Sequence, residues 1–167
     1  MKKSPVTRPD LAFLFSHPAH FFALGCGSGL SPWAPGTAGT LFAWASFLAL
    51  RPLVSEAEFV VFLLLAFVLG VSAIHKTGVA LREPDHPSIV WDEIVPFWAV
   101  LFLIPETWRW QMAAFALFRF FDIVKPQPAR FFDERVKNGL GVMMDDVVAA
   151  GYALLALAAA QRLLSWI

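Results

Sequence analysis

The sequence predicts an all-α protein, a multi-pass helical bundle of about five apolar helices with its active site at one end. Three observations predict it. Of the 167 residues 58% are apolar and 16% charged, with seven Trp and 17 Phe, so the chain has too little polar surface to cover itself in water. The apolar residues fall into five stretches, about 40–54, 58–75, 94–105, 108–121 and 147–167, separated by charged or Pro-bearing segments. Lys and Arg are shared unevenly between those segments. A compact helical oligomer in water is the alternative that this composition leaves open.

At this length one domain over 1–167 is expected. The start is basic, but Phe13 to Phe22 is broken by His17, Pro18 and His20, so no cleaved signal peptide is expected. Residues 11–24 read as a short helix lying on a membrane surface. Gly25 to Thr40 is rich in Gly, Pro and Ser and reads as a loop. Only the second and fifth stretches reach the roughly 20 apolar residues of a comfortable span. The first ends at Arg51-Pro52 and the third lies between Pro96 and Pro105, so these tilt, start among headgroups or re-enter. Trp91, Trp108, Trp110 and Trp166 stand near segment ends, where a membrane–water interface suits them.

With the N-terminus inside, Lys2, Lys3, Arg8, Lys76, Arg82, Arg119, Lys125, Arg130, Arg135 and Lys137 fall on the cytoplasmic side. Arg51, Arg109 and Arg162 fall on the other. This bias predicts a multi-pass membrane protein with its polar clusters facing the cytoplasm. Formal net charge is zero, which gives no support for binding nucleic acid. The single Cys26 excludes an internal disulfide and a Cys-based zinc site. Oligomeric state is not legible.

The acidic residues are few and placed beside apolar runs: Asp92-Glu93 enters the third stretch, Asp122 ends the fourth, and Asp145-Asp146 opens the last helix. Gathering carboxylates is costly, because like charges and desolvation both oppose ionisation. A divalent cation removes that cost, and oxygen-only ligands suit Mg²⁺ or Mn²⁺. Asp92, Glu93, Asp122, Asp145 and Asp146 are therefore candidate metal ligands and catalytic groups. The plainer reading is that they complement helix dipoles or pair with Arg119 and Lys125.

Asp122 and Lys125 are three apart, so both can face one side of a helical turn, a metal ligand beside a phosphate-binding cation. Arg119 or Arg130 adds a fork for phosphate oxygens. Arg135 and Lys137 read as anchors to anionic headgroups. Gly36-Thr37-Ala38-Gly39-Thr40 runs into a helix, where free N–H groups and two hydroxyls suit phosphate; a plain helix start after Pro35 is the competing reading. It is neither a Walker A sequence nor a dinucleotide fingerprint.

Other phosphatase chemistries fail by absence. The position six after Cys26 is Pro32 and not Arg, no Asp-x-Asp nucleophile occurs, and His17, His20, His75 and His86 lack a paired pattern with Arg. His75, beside Lys76, is at most a supporting group. Metal-activated water remains as the nucleophile.

Four segments, Ser31-Pro32-Trp33-Ala34-Pro35-Gly36-Thr37-Ala38-Gly39-Thr40, Ile89-Val90-Trp91-Asp92-Glu93, Phe118 to Pro128 and Gly139 to Asp146, together resemble phosphatidylglycerophosphatase A, in that family's order and over roughly residues 25–155. The resemblance implies a Mg²⁺-dependent, membrane-bound helical enzyme that converts phosphatidylglycerophosphate to phosphatidylglycerol and phosphate. It implies that the five carboxylates are functional. Pro96 departs from the pattern, since the family usually has Gly shortly after the Asp-Glu pair. Two other readings are weaker: a CDP-alcohol phosphatidyltransferase, whose Asp-x-x-Asp-Gly-x-x-Ala-Arg signature is absent, and a small divalent-cation channel or transporter, whose acidic groups would line a path instead of clustering.

Overall fold

The computed structural model describes residues 8–164, and among them every regular element is helical. Eight α-helices run in the order α1 (Leu11–Ser16), α2 (Pro18–Ala23), α3 (Pro35–Leu50), α4 (Glu56–Leu81), α5 (Trp91–Leu103), α6 (Trp108–Val124), α7 (Ala129–Arg135) and α8 (Gly139–Leu164). Short 3-10 segments occupy Gly25–Leu30 and Arg51–Leu53. Lys2, Lys3 and Trp166 lie outside the described residues.

Local chemistry sets the boundaries. Asp10 caps α1 by accepting from the Phe13 N–H at 2.8 Å. His17 separates α1 from α2, as expected before Pro18, so the single helix expected over 11–24 is two. Ser55 and Glu58 form a capping box at the start of α4. Arg82, in the left-handed region at φ 58°, closes α4 by donating back to Gly78 and Val79. Lys125, at φ 46°, closes α6 directly before Pro126. Asn138 Oδ1 accepts from the N–H groups of Leu140 and Gly141, both at 3.0 Å, and starts α8.

The segment expected to be a loop up to Thr40 is shorter. Helix α3 begins at Pro35, whose fixed φ and missing N–H suit a first helical position. Its glycines do not break it, because close neighbours need them. A Cβ at Gly39 would stand 2.7 Å from Val90 Cβ, and one at Gly36 would stand 2.1 Å from Glu93 Oε1.

Helix α5 is the centre of the bundle, packed by α3, α4, α6 and α8. Nine of its thirteen residues are buried, so it faces protein and not lipid. Phe97 lies 5.3 Å from the Phe118 ring, and both side chains are fully buried. Burial of such a ring contributes about 2–3 kcal/mol. Trp98 Nε1 donates to the Ala43 carbonyl at 2.9 Å, and Trp91 Nε1 to that of Ala66 at 3.0 Å. Trp91 is thus a core residue and not an interfacial one, its polar edge satisfied inside the bundle. Trp108 is exposed, while Trp110 packs on the core.

Two helices are long and apolar enough to cross a membrane, Glu56–Leu81 with mean hydropathy 2.5 and Gly139–Leu163 with 1.7. Leu64, Leu65, Val68 and Leu69 of α4 are all exposed, an apolar flank that water solvates poorly. Helices α3, α5 and α6, at 16, 13 and 17 residues, are shorter than a comfortable span. Five spanning helices are therefore not found.

The polar groups separate to the two ends. Arg51 reaches Glu56 and Glu106 where α3 ends, α4 begins and α5 hands over to α6. The start of α3, the end of α4, the start of α5, the end of α6 and the start of α8 gather at the opposite end.

Candidate active site

At that second end a cleft of about 340 Å³ is lined by Asp85, Asp92, Glu93, Asp122 and Asp146, together with Gly36, Arg119 and Lys125. Each carboxylate is delivered by a helix boundary or a loop. Asp92 and Glu93 occupy the first turn of α5, where the helix dipole favours negative charge. Asp122 sits in the last turn of α6. Asp145 and Asp146 do not open α8. It starts at Gly139, so they lie beyond its first turn, where the dipole offers them little.

Two cations neutralise part of this charge. Arg119 Nη1 lies 2.8 Å from Glu93 Oε2 and 2.7 Å from Asp122 Oδ2. Lys125 Nζ lies 3.0 Å from Asp133 Oδ1 and makes a close ion pair with Asp145 Oδ2. Asp122 and Lys125 thus both line the cleft, with different ion-pair partners: Arg119 holds Asp122, while Asp133 and Asp145 hold Lys125 at the left-handed close of α6. Thr40 Oγ1 stands 3.2 Å from Glu93 Oε2 and 3.0 Å from the Gly36 carbonyl, so it supports Glu93. Thr37 and Gly39 are outside the cleft lining.

Two of the carboxylates keep an unpaired oxygen. Asp92 Oδ1 and Asp146 Oδ1 are buried with no hydrogen-bond partner. Burial first, then Glu93, Asp85, Asp145 and Asp122 around it, push the Asp92 carboxyl well above the usual carboxylate range. Burial pushes Glu93 up to about 7 against the pull of Arg119. Burial opposes the charge of Lys125, but Asp145 overcomes it and holds the ammonium above its ordinary range.

Buried carboxylate oxygens without donors fit a hard cation, and an all-oxygen donor set fits Mg²⁺. Among the described residues no three acidic, His or Cys side chains already converge at ligating distance. Mg²⁺ does not demand that, since it keeps several waters and often takes only one or two carboxylates beside a phosphate.

Asp85, from the loop between α4 and α5, is the cleft residue that sequence reasoning missed. Its one sequence signal is an acid set between Pro84 and Pro87.

A family model for phosphatidylglycerophosphatase A matches residues 21–161. A Haemophilus influenzae protein named phosphatidylglycerophosphatase A is 48% identical over 146 residues, 87% of this chain and 90% of its own. An Escherichia coli protein of the same name is 42% identical over 135 residues, 80% of this chain and 78% of its own. A Bacteroides thetaiotaomicron protein, named as a candidate phosphatidylinositol-3-phosphatase, is 42% identical over 144 residues, 82% of this chain and 89% of its own. No solved structure matches the chain. With the family's motifs meeting at one cleft and the match running over most of its length, the chain belongs to the phosphatidylglycerophosphatase A family.

Proposed function

We propose that the protein hydrolyses the terminal phosphate monoester of phosphatidylglycerophosphate, giving phosphatidylglycerol and phosphate, with Mg²⁺ held by the clustered carboxylates. The observation that carries this reading is the set of buried, unpartnered carboxylate oxygens on Asp92 and Asp146, in a cleft built from the family's motifs. Bound Mg²⁺ supplies charge neutralisation at the phosphoryl group and a water acidic enough to attack near neutral pH.

The protein's own groups do the rest. Asp92 and Asp146, with Glu93, Asp122 and Asp145 around them, present the oxygen ligands. A carboxylate left outside the ligand set accepts the proton of the attacking water and returns it to the glycerol oxygen that leaves as its bond to phosphorus breaks. Arg119 fixes Glu93 and Asp122 in place and offsets part of their charge. Lys125 holds Asp145 and offsets charge on the phosphoryl oxygens. The N–H of Gly36, in the first turn of α3, lacks an intrahelical acceptor and borders the cleft.

The same reading places the chain in the bacterial cytoplasmic membrane with the cleft facing the cytoplasm, supported by the apolar flank of α4 and the basic bias of the cleft end. Acyl chains then stay in lipid while the phosphate meets the carboxylates. The test is phosphate release from phosphatidylglycerophosphate by purified protein with Mg²⁺ and with a chelator. Release only with Mg²⁺ is expected, and equal release in both removes the metal. Phosphatidylinositol 3-phosphate, run in parallel, measures headgroup selection.

A further inference from the structure

Beside the carboxylate cleft lies a second hollow, of about 220 Å³, with His75, Arg82, Lys137 and Asn138 in its wall and no carboxylate. It is walled by backbone brought unusually close. A Cβ on Gly139 would stand 2.0 Å from the Val71 carbonyl oxygen, and one on Gly78 would stand 2.8 Å from Pro84. These two glycines let α8 and the loop after α4 close on α4. Pro84 lines this hollow and Asp85 lines the cleft, so a single turn of chain divides the two.

The cations at this end have different obligations. Arg119 serves Glu93 and Asp122, Lys125 serves Asp133 and Asp145, and Arg130 serves Glu134. Among the described residues no carboxylate pairs with Arg82 or Lys137. Lys137 gives one N–H to the Asp133 carbonyl, which leaves two more to donate. Arg82 is held in the left-handed region, a backbone state that a non-glycine residue adopts at a cost. A planar guanidinium and an ammonium around a carboxylate-free hollow match a singly charged phosphate group.

We infer that this hollow binds the phosphodiester of an anionic phospholipid, positioned by Arg82 and Lys137, next to the cleft that takes the monoester. The inference rests on the reading of the protein as a lipid phosphatase. It gives that reading a means of headgroup selection: a lipid with both a diester and a terminal monoester engages both hollows, whereas one with a monoester alone engages the cleft only. The diester belongs either to the substrate itself or to a neighbouring anionic lipid.

The experiment compares the full chain with an Arg82→Ala/Lys137→Ala variant in phosphatidylcholine nanodiscs with Mg²⁺. Phosphatidylglycerophosphate carries both phosphates and phosphatidic acid only a monoester. A KM raised about tenfold for the first, with kcat within about twofold and phosphatidic acid unaffected, supports the substrate's own diester as occupant. A variant that differs only in losing the activation produced by added phosphatidylserine supports a neighbouring lipid. Equal losses on both substrates, or no change in either arm, overturn the inference. Should the wild type hydrolyse neither lipid, the enzymatic reading fails by itself, and binding of phosphatidylglycerol, which keeps the diester alone, decides the hollow. Affinity weakened about tenfold in the variant supports it, and unchanged affinity overturns it.

Discussion

At one end of the bundle Arg51 reaches Glu56 at 3.7 Å and Glu106 at 3.6 Å, with those glutamate side chains 81% and 68% exposed. At the other end Arg119 holds Glu93 at 2.8 Å and Asp122 at 2.7 Å, with side chains 12% and 11% exposed. Both are one arginine shared by two acids. In water the first pays for its ordering with little gain. In the cleft the second faces a large desolvation penalty and further acids nearby, so its removal leaves two buried carboxylates uncompensated. One end is a surface ornament of the fold, and the other is a concentration of charge that only function explains.

The sharpest way to break the comparison is to remove each arginine. Arg119→Met is expected to destabilise the folded protein by about 3–5 kcal/mol, as for the loss of one partner of a buried pair. Arg51→Met is expected to leave stability close to unchanged. Thermal unfolding of both in one detergent reads the difference, and similar shifts would dissolve the distinction between the ends.

The next effect is on turnover. Asp92 has a buried oxygen without a donor, so its charge is expected to matter to a cation and not to the fold. Asp92→Asn should lower phosphate release by about a hundredfold or more. It should also raise the melting temperature in chelator, because an amide escapes the cost that burial first, and then Glu93, Asp85, Asp145 and Asp122, place on this carboxyl. Lost activity with lost stability would instead make Asp92 a structural residue.

Gly36→Ala is expected to do less. Its methyl group would meet Glu93 Oε1, the far end of a side chain able to shift, so the fold persists while Glu93 leaves Thr40 and Arg119. Activity should fall roughly ten- to hundredfold with little change in melting temperature. Unchanged activity would show that the position of Glu93 is not critical.

What the sequence made legible follows the same division. Apolar runs and prolines mark out the helices, since burial and backbone chemistry act locally. The convergence of Asp92, Glu93, Asp122 and Asp146 was legible from charge bias, which depends on chain direction and not on packing. Features decided by contacts between distant segments were not. Trp91 beside two acids resembles an interfacial residue until the Ala66 carbonyl accepts its N–H. Gly36 and Gly39 resemble loop residues until Glu93 and Val90 are set against them. Asp85 joins the cleft through the path of the loop after α4, and Pro84 and Pro87 mark a turn there without saying where it leads.

The smallest effect expected is a pH dependence confined to the cleft. The Glu93 carboxyl is raised from its ordinary 4.5 to about 7, so the folded protein holds this proton more tightly than the unfolded chain does. Stability then falls as pH rises wherever the folded state binds more protons. The contribution is whole below about 4.5 and is lost on the way to about 7. In chelator the melting temperature should therefore decline across that window, and Glu93→Gln, which cannot ionise, should flatten the decline. Mg²⁺ should flatten it as well, because a cation among the carboxylates favours their ionised forms in the folded state. A decline that Glu93→Gln leaves untouched would assign the proton to another group of the cleft, and one that Mg²⁺ leaves untouched would separate Glu93 from the cation.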